Sequence, residues 1–192
     1  MFKKGNGIAR VTFNRPPRLN AMTWRMVEEI LAPAEDCAAD ESVRVLAFSG
    51  AGRAFSSGDD IVDGMGPRSR GGNPEGITAD RGLHYEIVRL LLHMPKLPRL
   101  IGQSRAMDLL MTGRVVGAIE AERIGYFNRV WPAATYAEEL DAFLADLASG
   151  PTKTYAAWKP SVNRSVLLEL DSYTDYERHL AGLVRQTEDH TD

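Results

Sequence analysis

The hydrophobic pattern along the chain changes period several times. Ile8–Phe13, IARVTF, is rich in β-branched and aromatic residues and predicts a strand. From Thr23, a suitable N-cap, Met26, Val27, Ile30, Leu31 and Ala34 fall on one face of a helix expected to bend at Pro33. Val43 to Ser49, VRVLAFS, is short and mostly apolar, as a buried strand of a parallel sheet is. From Thr78, Leu83, Ile87, Leu90, Leu91 and Met94 give a second amphipathic helix, stopped at Pro95.

The next residues break the rhythm. HMPKLPRLIG, residues 93 to 102, runs the end of one helix straight into the approach to another. An alternating chain of this kind would place a buried strand between them. Beyond the join the pattern predicts a helix over QSRAMDLLMTG, a second over AIEAERIG closed by Gly125, and a short strand, YFNRVW. Tyr136 to Ser149 is a clear helix with Leu140, Phe143, Leu144 and Leu147 inward, ended by Gly150-Pro151. The remainder is helical in pattern, with an interruption expected at Pro160 and a last helix around Tyr176, Leu180 and Leu183. Strand and helix alternating, followed by a helical tail, predicts an α/β core with a helical appendage.

Composition narrows the class. At 192 residues the chain is one ordinary domain, or a domain with an appendage, and 44% hydrophobic content supports a real core. A net charge of −3 argues against nucleic acid or an anionic membrane as the main partner. The single cysteine, Cys37, excludes an internal disulfide framework and suits a reducing compartment. No run reaches the length of a membrane span, and MFKKGNGIARV lacks the apolar core of a signal peptide. The expected location is cytoplasmic. One segment is compositionally biased: GMGPRSRGGNPEG, residues 64 to 76, reads as a surface loop, or as a flap whose Arg68 and Arg70 meet an anion.

The stretch most informative about chemistry is GAGRAFSSGDDI, residues 50 to 61. Phe55 occupies the third glycine position of a dinucleotide fingerprint, and both the Gly-Lys-Ser/Thr of a phosphate loop and the G-x-S-x-G of a hydrolase elbow are absent. Asp59 and Asp60 are adjacent carboxylates without a nearby histidine or third acid, a pattern commoner in helix-start caps than in metal sites. Histidines 84, 93, 179 and 190 have neither metal-ligand nor triad spacing. No metal site is expected.

VTFNRPPRLNAM (residues 11 to 22), AFSSGDDI (54 to 61) and LMTGRVVGAIEAERIGYFNRVWP (110 to 132) occur in that order. Together they resemble the crotonase superfamily, the enoyl-CoA hydratase/isomerase family. The resemblance implies a crotonase-like spiral α/β core over residues 1–132 and a C-terminal helical lobe over 133–192 that assembles a homotrimer or a dimer of trimers. It also implies an acyl-CoA thioester as substrate, its carbonyl held by two backbone N–H groups that stabilise an enolate. Coenzyme A would be part of the substrate, with no separate cofactor. By the same resemblance Ser57 supplies one of the N–H groups and Gly58 turns the chain beside the ligand. Ser57, Gly58, Asp59, Asp60 and Ile61 are expected to contact the acyl-CoA, with the two aspartates holding the start of the following segment, and Arg18 and Ala21 lie along the CoA arm, with Arg18 available to a phosphate.

The join at Lys96-Leu97 then acquires a meaning. In the family a buried strand and glycine-rich turn follow the Pro-Lys that ends the helix, and they bring the second oxyanion N–H and the first catalytic carboxylate. A later segment brings the second carboxylate. Roughly 50 residues, more than one βαβ unit, have no counterpart here, and the final helix is expected to run further than this chain does. Glu75, Glu86 and Glu120 match none of the family's catalytic positions. The join is either a true deletion or two stretches of a longer parent made contiguous. Two function classes follow: an enoyl-CoA hydratase or isomerase whose core is incomplete in this chain, or a non-catalytic relative that retains part of the CoA site or only a subunit interface.

Overall fold

The structure, a computed structural model, describes residues 1–58, 60, 97–165 and 168–188. The chain divides into two compact units, Met1–His93 with Leu144–Thr152, and Met94–Phe143 with Lys153–Asp192.

The first unit begins with a hairpin that the hydrophobic pattern does not predict. β1 (Phe2–Gly5) pairs antiparallel with β2 (Ile8–Phe13), joined by Asn6 and Gly7 at φ 53° and 75°. Two consecutive left-handed residues make the turn that suits the twist of a two-residue hairpin, and Asn-Gly is the dipeptide that adopts it most readily. β2 alternates half-buried and buried positions, with Ala9, Val11 and Phe13 inward. α1 (Trp24–Ala39) starts as expected: the Thr23 hydroxyl accepts a hydrogen bond from the Met26 N–H at 3.3 Å. Pro33 lies inside this helix. Its apolar face lays Met26, Val27 and Ile30 against Val11 and Phe13, with Leu46 and Phe48 of β3 (Val45–Gly50) at the margin. Burying each such side chain contributes about 1.5–3 kcal/mol. Cys37 is buried on the same helix, and burial pushes its thiol pKa up, so it behaves as a core residue.

β3 runs parallel to β2, in register from Ile8↔Val45 to Phe13↔Gly50. Thr12 and Ser49 face each other there, their hydroxyls 3.0 Å apart. The strand differs from expectation in burial: every position is half-buried. Among the described residues it pairs along one edge, with β2. Gly50 closes the strand under the backbone of the following loop. A Cβ there would stand 2.2 Å from the Ala54 carbonyl oxygen and 2.5 Å from that of Phe55. Backbone must then move, so Gly50→Ala is expected to cost about 1–3 kcal/mol of stability in urea unfolding; an unchanged midpoint would contradict this packing.

An exposed ion cluster ties β1 to α1. The Lys4 ammonium donates to the carboxylates of Asp36 and Asp40, which raises its own pKa. The hydrogen bond from Lys4, followed by those from the Ser42 hydroxyl and N–H, holds Asp40 down to about 2. A carboxyl depressed on folding stabilises the fold above its unfolded value, about 3.9, and that contribution fades as pH falls through the folded one. Acid unfolding followed by circular dichroism should therefore be shallower between about pH 4 and 2 for Asp40→Asn than for the parent. Equal slopes would count against the cluster.

The second unit is helical: α2 (Leu97–Ile101), α3 (Gln103–Thr112), α4 (Ala118–Arg123), the greater part of α5 (Tyr136–Ser149), α6 (Thr152–Ser165) and α7 (Leu170–Val184). Pro160 sits within α6, so the interruption expected there does not occur. YFNRVW is not a strand. The end of α4 satisfies its backbone instead: the Tyr126 N–H donates to the Ala121 carbonyl at 2.8 Å and the Val130 N–H to Glu122 Oε1 at 3.0 Å. The aromatic and β-branched character that suggested a strand has another use, because Trp131 packs 6.1 Å from Phe143 and the Arg129 guanidinium lies 4.2 Å over the Phe143 ring. Among the described residues no helix is long and apolar enough to cross a membrane. The expected helix from Thr78 to Met94, the biased segment 64 to 76 and the Lys96 side of the join lie outside the described residues.

Candidate functional site

Two loops meet at the ends of the parallel strands β2 and β3. The first leaves β2, makes a 3-10 turn at Pro16–Arg18 and enters α1; the second follows β3. Leu19 and Asn20 both take left-handed backbone, φ 50° and 56°, which lets the chain reverse within two residues. Asparagine tolerates that region better than most residues.

Asn20 is fully buried and uses its amide as a staple. Its Oδ1 accepts from the Arg15 N–H at 2.8 Å, and its Nδ2 donates to the carbonyls of Ala51 at 2.9 Å and Ala54 at 2.7 Å. Arg15 provides the second tie. Its Nη1 donates to the Ala21 carbonyl at 2.7 Å and to Asp60 Oδ2 at 3.0 Å. Asp60 is 5% exposed, and a buried carboxylate needs such a partner. Its charge therefore holds the preceding loop, while the segment after it lies outside the described residues.

Backbone pairing completes the arrangement. The Ser57 N–H donates to the Leu19 carbonyl at 3.0 Å, the Met22 N–H to the Gly58 carbonyl at 2.8 Å, and the Asp60 N–H to the Met22 carbonyl at 2.8 Å. The Ser57 hydroxyl reaches the Arg18 carbonyl at 3.4 Å.

The structure thus gathers Arg18, Ala21, Ser57, Gly58 and Asp60 on one pair of loops. Arg18, Ser57 and Gly58 are exposed, whereas Ala21 is buried. Asp59 and Ile61 lie outside the described residues. One detail departs from expectation. The Ser57 N–H is already engaged by Leu19, so an acyl oxygen would have to share or displace that carbonyl. Gly58 has φ 92°, and a Cβ placed there would meet nothing within 4 Å, so its requirement is conformational rather than steric.

Sequence pattern alone does not single out Arg15 and Asn20, the two residues that hold the loops together. The available signal was local: an asparagine placed between Leu19 and Ala21, directly after the strand and a Pro-Pro turn, suits left-handed backbone.

A family profile described as enoyl-CoA hydratase/isomerase matches residues 83–191, and a second profile of the same description matches residues 8–97. The chain is 25% identical to 1,2-epoxyphenylacetyl-CoA isomerase of Escherichia coli (strain K12) over 239 aligned positions, covering 96% of this chain and 89% of that protein. It is also 25% identical to 4-chlorobenzoyl coenzyme A dehalogenase-1 of an Arthrobacter species, over 90% of this chain and 80% of that one. The solved enoyl-CoA hydratase of Bacillus anthracis superposes with a TM-score of 0.85 over 100% of this chain and 92% of its own, at 19% identity, a likeness of fold alone. The 239 positions aligned with the E. coli isomerase outnumber the 192 residues of this chain, so that relative carries residues with no counterpart here.

Proposed function

Because this chain belongs to the enoyl-CoA hydratase/isomerase family of the crotonase superfamily and has its α/β fold, we propose that the two stapled loops bind an acyl-CoA thioester. The observation that carries the reading is the convergence of Arg18, Ala21, Ser57 and Gly58 on one rigid pair of loops after parallel strands. The thioester carbonyl takes the Ser57 backbone N–H in exchange for the Leu19 carbonyl. Arg18 meets a phosphate of the CoA arm. Coenzyme A arrives as part of the substrate, and the reading invokes no further cofactor and no metal.

The chemistry we assign to the complete active site is hydration of a 2-enoyl-CoA through an enolate stabilised by backbone donors. In this chain that site is half built. The alignment with the isomerase leaves family residues without counterparts, and the carboxylates proposed to act as general acid and base belong with them. Glu120 offers no substitute. Its carboxylate is held by Arg114 Nη2 and Nη1, at 2.7 and 3.0 Å, and those hydrogen bonds lower its pKa, so it has no proton to give near neutrality. Binding without efficient turnover is the consequence, which places the chain near the non-catalytic alternative in behaviour while its site keeps the ancestry of an enzyme.

We further assign residues 1–132 to the α/β core and 133–192 to a helical lobe that self-associates as a trimer or a pair of trimers. Trp158, Val162 and Leu183 are exposed apolar residues of that lobe. Light scattering that reads a monomer at micromolar concentration would overturn the assembly.

Calorimetric titration with butanoyl-CoA, which is saturated and cannot react, tests the binding. Ser57→Ala should change affinity less than about threefold, because the donor is backbone. Gly58→Val should lower it at least about tenfold, since a β-branched residue resists positive φ. If Ser57→Ala removed binding and Gly58→Val did not, the backbone-donor reading would fail.

A further inference from the structure

The second loop reaches across to the first at several points. The Ala51 and Ala54 carbonyls accept from the Asn20 amide, the Gly58 carbonyl accepts from the Met22 N–H, and the Asp60 N–H donates to the Met22 carbonyl. The Gly58 N–H turns back instead, and donates to the Ser56 hydroxyl at 3.1 Å. A serine hydroxyl that accepts from the N–H two residues on makes a small local turn. The ring closed by this bond runs from Oγ through Cβ, Cα and the carbonyl carbon of Ser56, and then through the Ser57 nitrogen. The Ser57 amide, assigned above to the thioester carbonyl, is therefore a member of that ring.

Gly58 is exposed, so water can satisfy its N–H and the Ser56 hydroxyl is not needed for that. What the hydroxyl adds is direction. The Ser57 N–H is aimed at the Leu19 carbonyl, 3.0 Å away. An acyl oxygen that takes the place of this carbonyl removes the anchor just when the donor must stay aligned. Hydrogen bonds weaken steeply as they bend, and donors held in place beforehand stabilise developing charge best. Gly58, at φ 92°, cannot supply the constraint from its own backbone, which is the freest of any residue. The bond from Met22 to the Gly58 carbonyl lies beyond the Ser57 peptide. We propose that Ser56 is a positioning residue, whose hydroxyl, bonded to the Gly58 N–H, keeps the Ser57 N–H in line for the thioester carbonyl once the Leu19 carbonyl gives way. The inference rests on the acyl-CoA reading and adds to it a side chain that acts through the Ser57 peptide.

Carbon-13 NMR of butanoyl-CoA labelled at the thioester carbonyl reads the alignment, because a hydrogen bond to the oxygen moves that resonance downfield. The ligand is kept at saturation, so a change in affinity does not enter. In the parent the bound resonance should lie downfield of the free one, and Ser56→Ala should lose about half of that displacement or more. Ser56→Thr keeps the hydroxyl, and the amide oxygen of Ser56→Asn accepts from the N–H two residues on in the same kind of turn, so both should restore the displacement. Titration of Ser56→Ala should show binding weakened by about three- to tenfold. A hydroxyl that only stabilises the loop would lower the melting temperature of Ser56→Ala and leave its bound resonance where the parent has it, which would overturn the proposal. Loss of the displacement in Ser56→Thr and Ser56→Asn as well as in Ser56→Ala would overturn it too, since the hydrogen bond would then not be the working feature. A parent resonance that stays at its free position takes down the acyl-CoA reading itself, whereas a displaced parent resonance that Ser56→Ala keeps removes the role of Ser56 alone.

Discussion

Expressed as its 192 residues stand, the protein is expected to leave a short 2-enoyl-CoA essentially unhydrated. Loss of one oxyanion donor typically removes about 2.7–4 kcal/mol of transition-state stabilisation. Loss of a positioned acid or base typically lowers the rate by a factor of about 10²–10⁴. The two effects need not add, because such groups act as a unit. Either loss alone would leave this chain orders of magnitude behind a complete relative. Asp60, on the second of the two loops, is buried beneath Arg15. Disappearance of the conjugated thioester's ultraviolet absorbance, followed at equal concentrations of folded protein for the parent and for a chimera with the isomerase's extra residues inserted between Lys96 and Leu97, measures the difference. Turnover in the chimera alone is the expected outcome, and comparable rates would mean that the parent contains working acids other than those named.

Asn20→Ala should be the most damaging single substitution among the loop residues, at about 4 kcal/mol of stability. It strips partners from the Arg15 N–H and from the carbonyls of Ala51 and Ala54. Leaving buried polar groups unpaired costs about 1–3 kcal/mol each, with water recovering part of this where it can enter. Alanine must also hold the left-handed backbone that asparagine occupies at φ 56°. Asn20→Gly separates the contributions, since it relieves the backbone but restores none of the lost hydrogen bonds; it should recover about 1 kcal/mol. Urea denaturation of the three proteins checks both numbers. A cost under about 1 kcal/mol for alanine would mean that the two loops are held by something other than this amide.

Different parts of the molecule were legible to different degrees. β2 and α1 stand out because a β-branched run and an N-cap threonine are local signals, and the structure puts them at Ile8–Phe13 and Trp24–Ala39. Tyr136–Ser149 was readable for the same reason, with Gly150-Pro151 as its stop. β1 was equally local, since Asn6-Gly7 is a strong hairpin dipeptide, yet the strand it closes is exposed along its whole length and lacks an apolar pattern. YFNRVW misled because its composition suits a strand, while its N–H groups found acceptors at the end of α4. The staple on Asn20 was illegible in principle from local pattern: its acceptors stand 31 and 34 residues away. A similarly long separation in sequence concealed that the Ser57 N–H already has a partner in Leu19.

That last bond also makes the central claim measurable. If an acyl-CoA carbonyl takes the Ser57 backbone N–H, the bond must polarise the carbonyl on binding. Isotope-edited infrared spectroscopy of butanoyl-CoA labelled with carbon-13 at the thioester carbonyl observes that bond alone. The account predicts a carbonyl band at lower wavenumber when bound to the parent than in water, retained in Ser57→Ala and lost in Gly58→Val. A bound ligand whose carbonyl band stays at its position in water would contradict it.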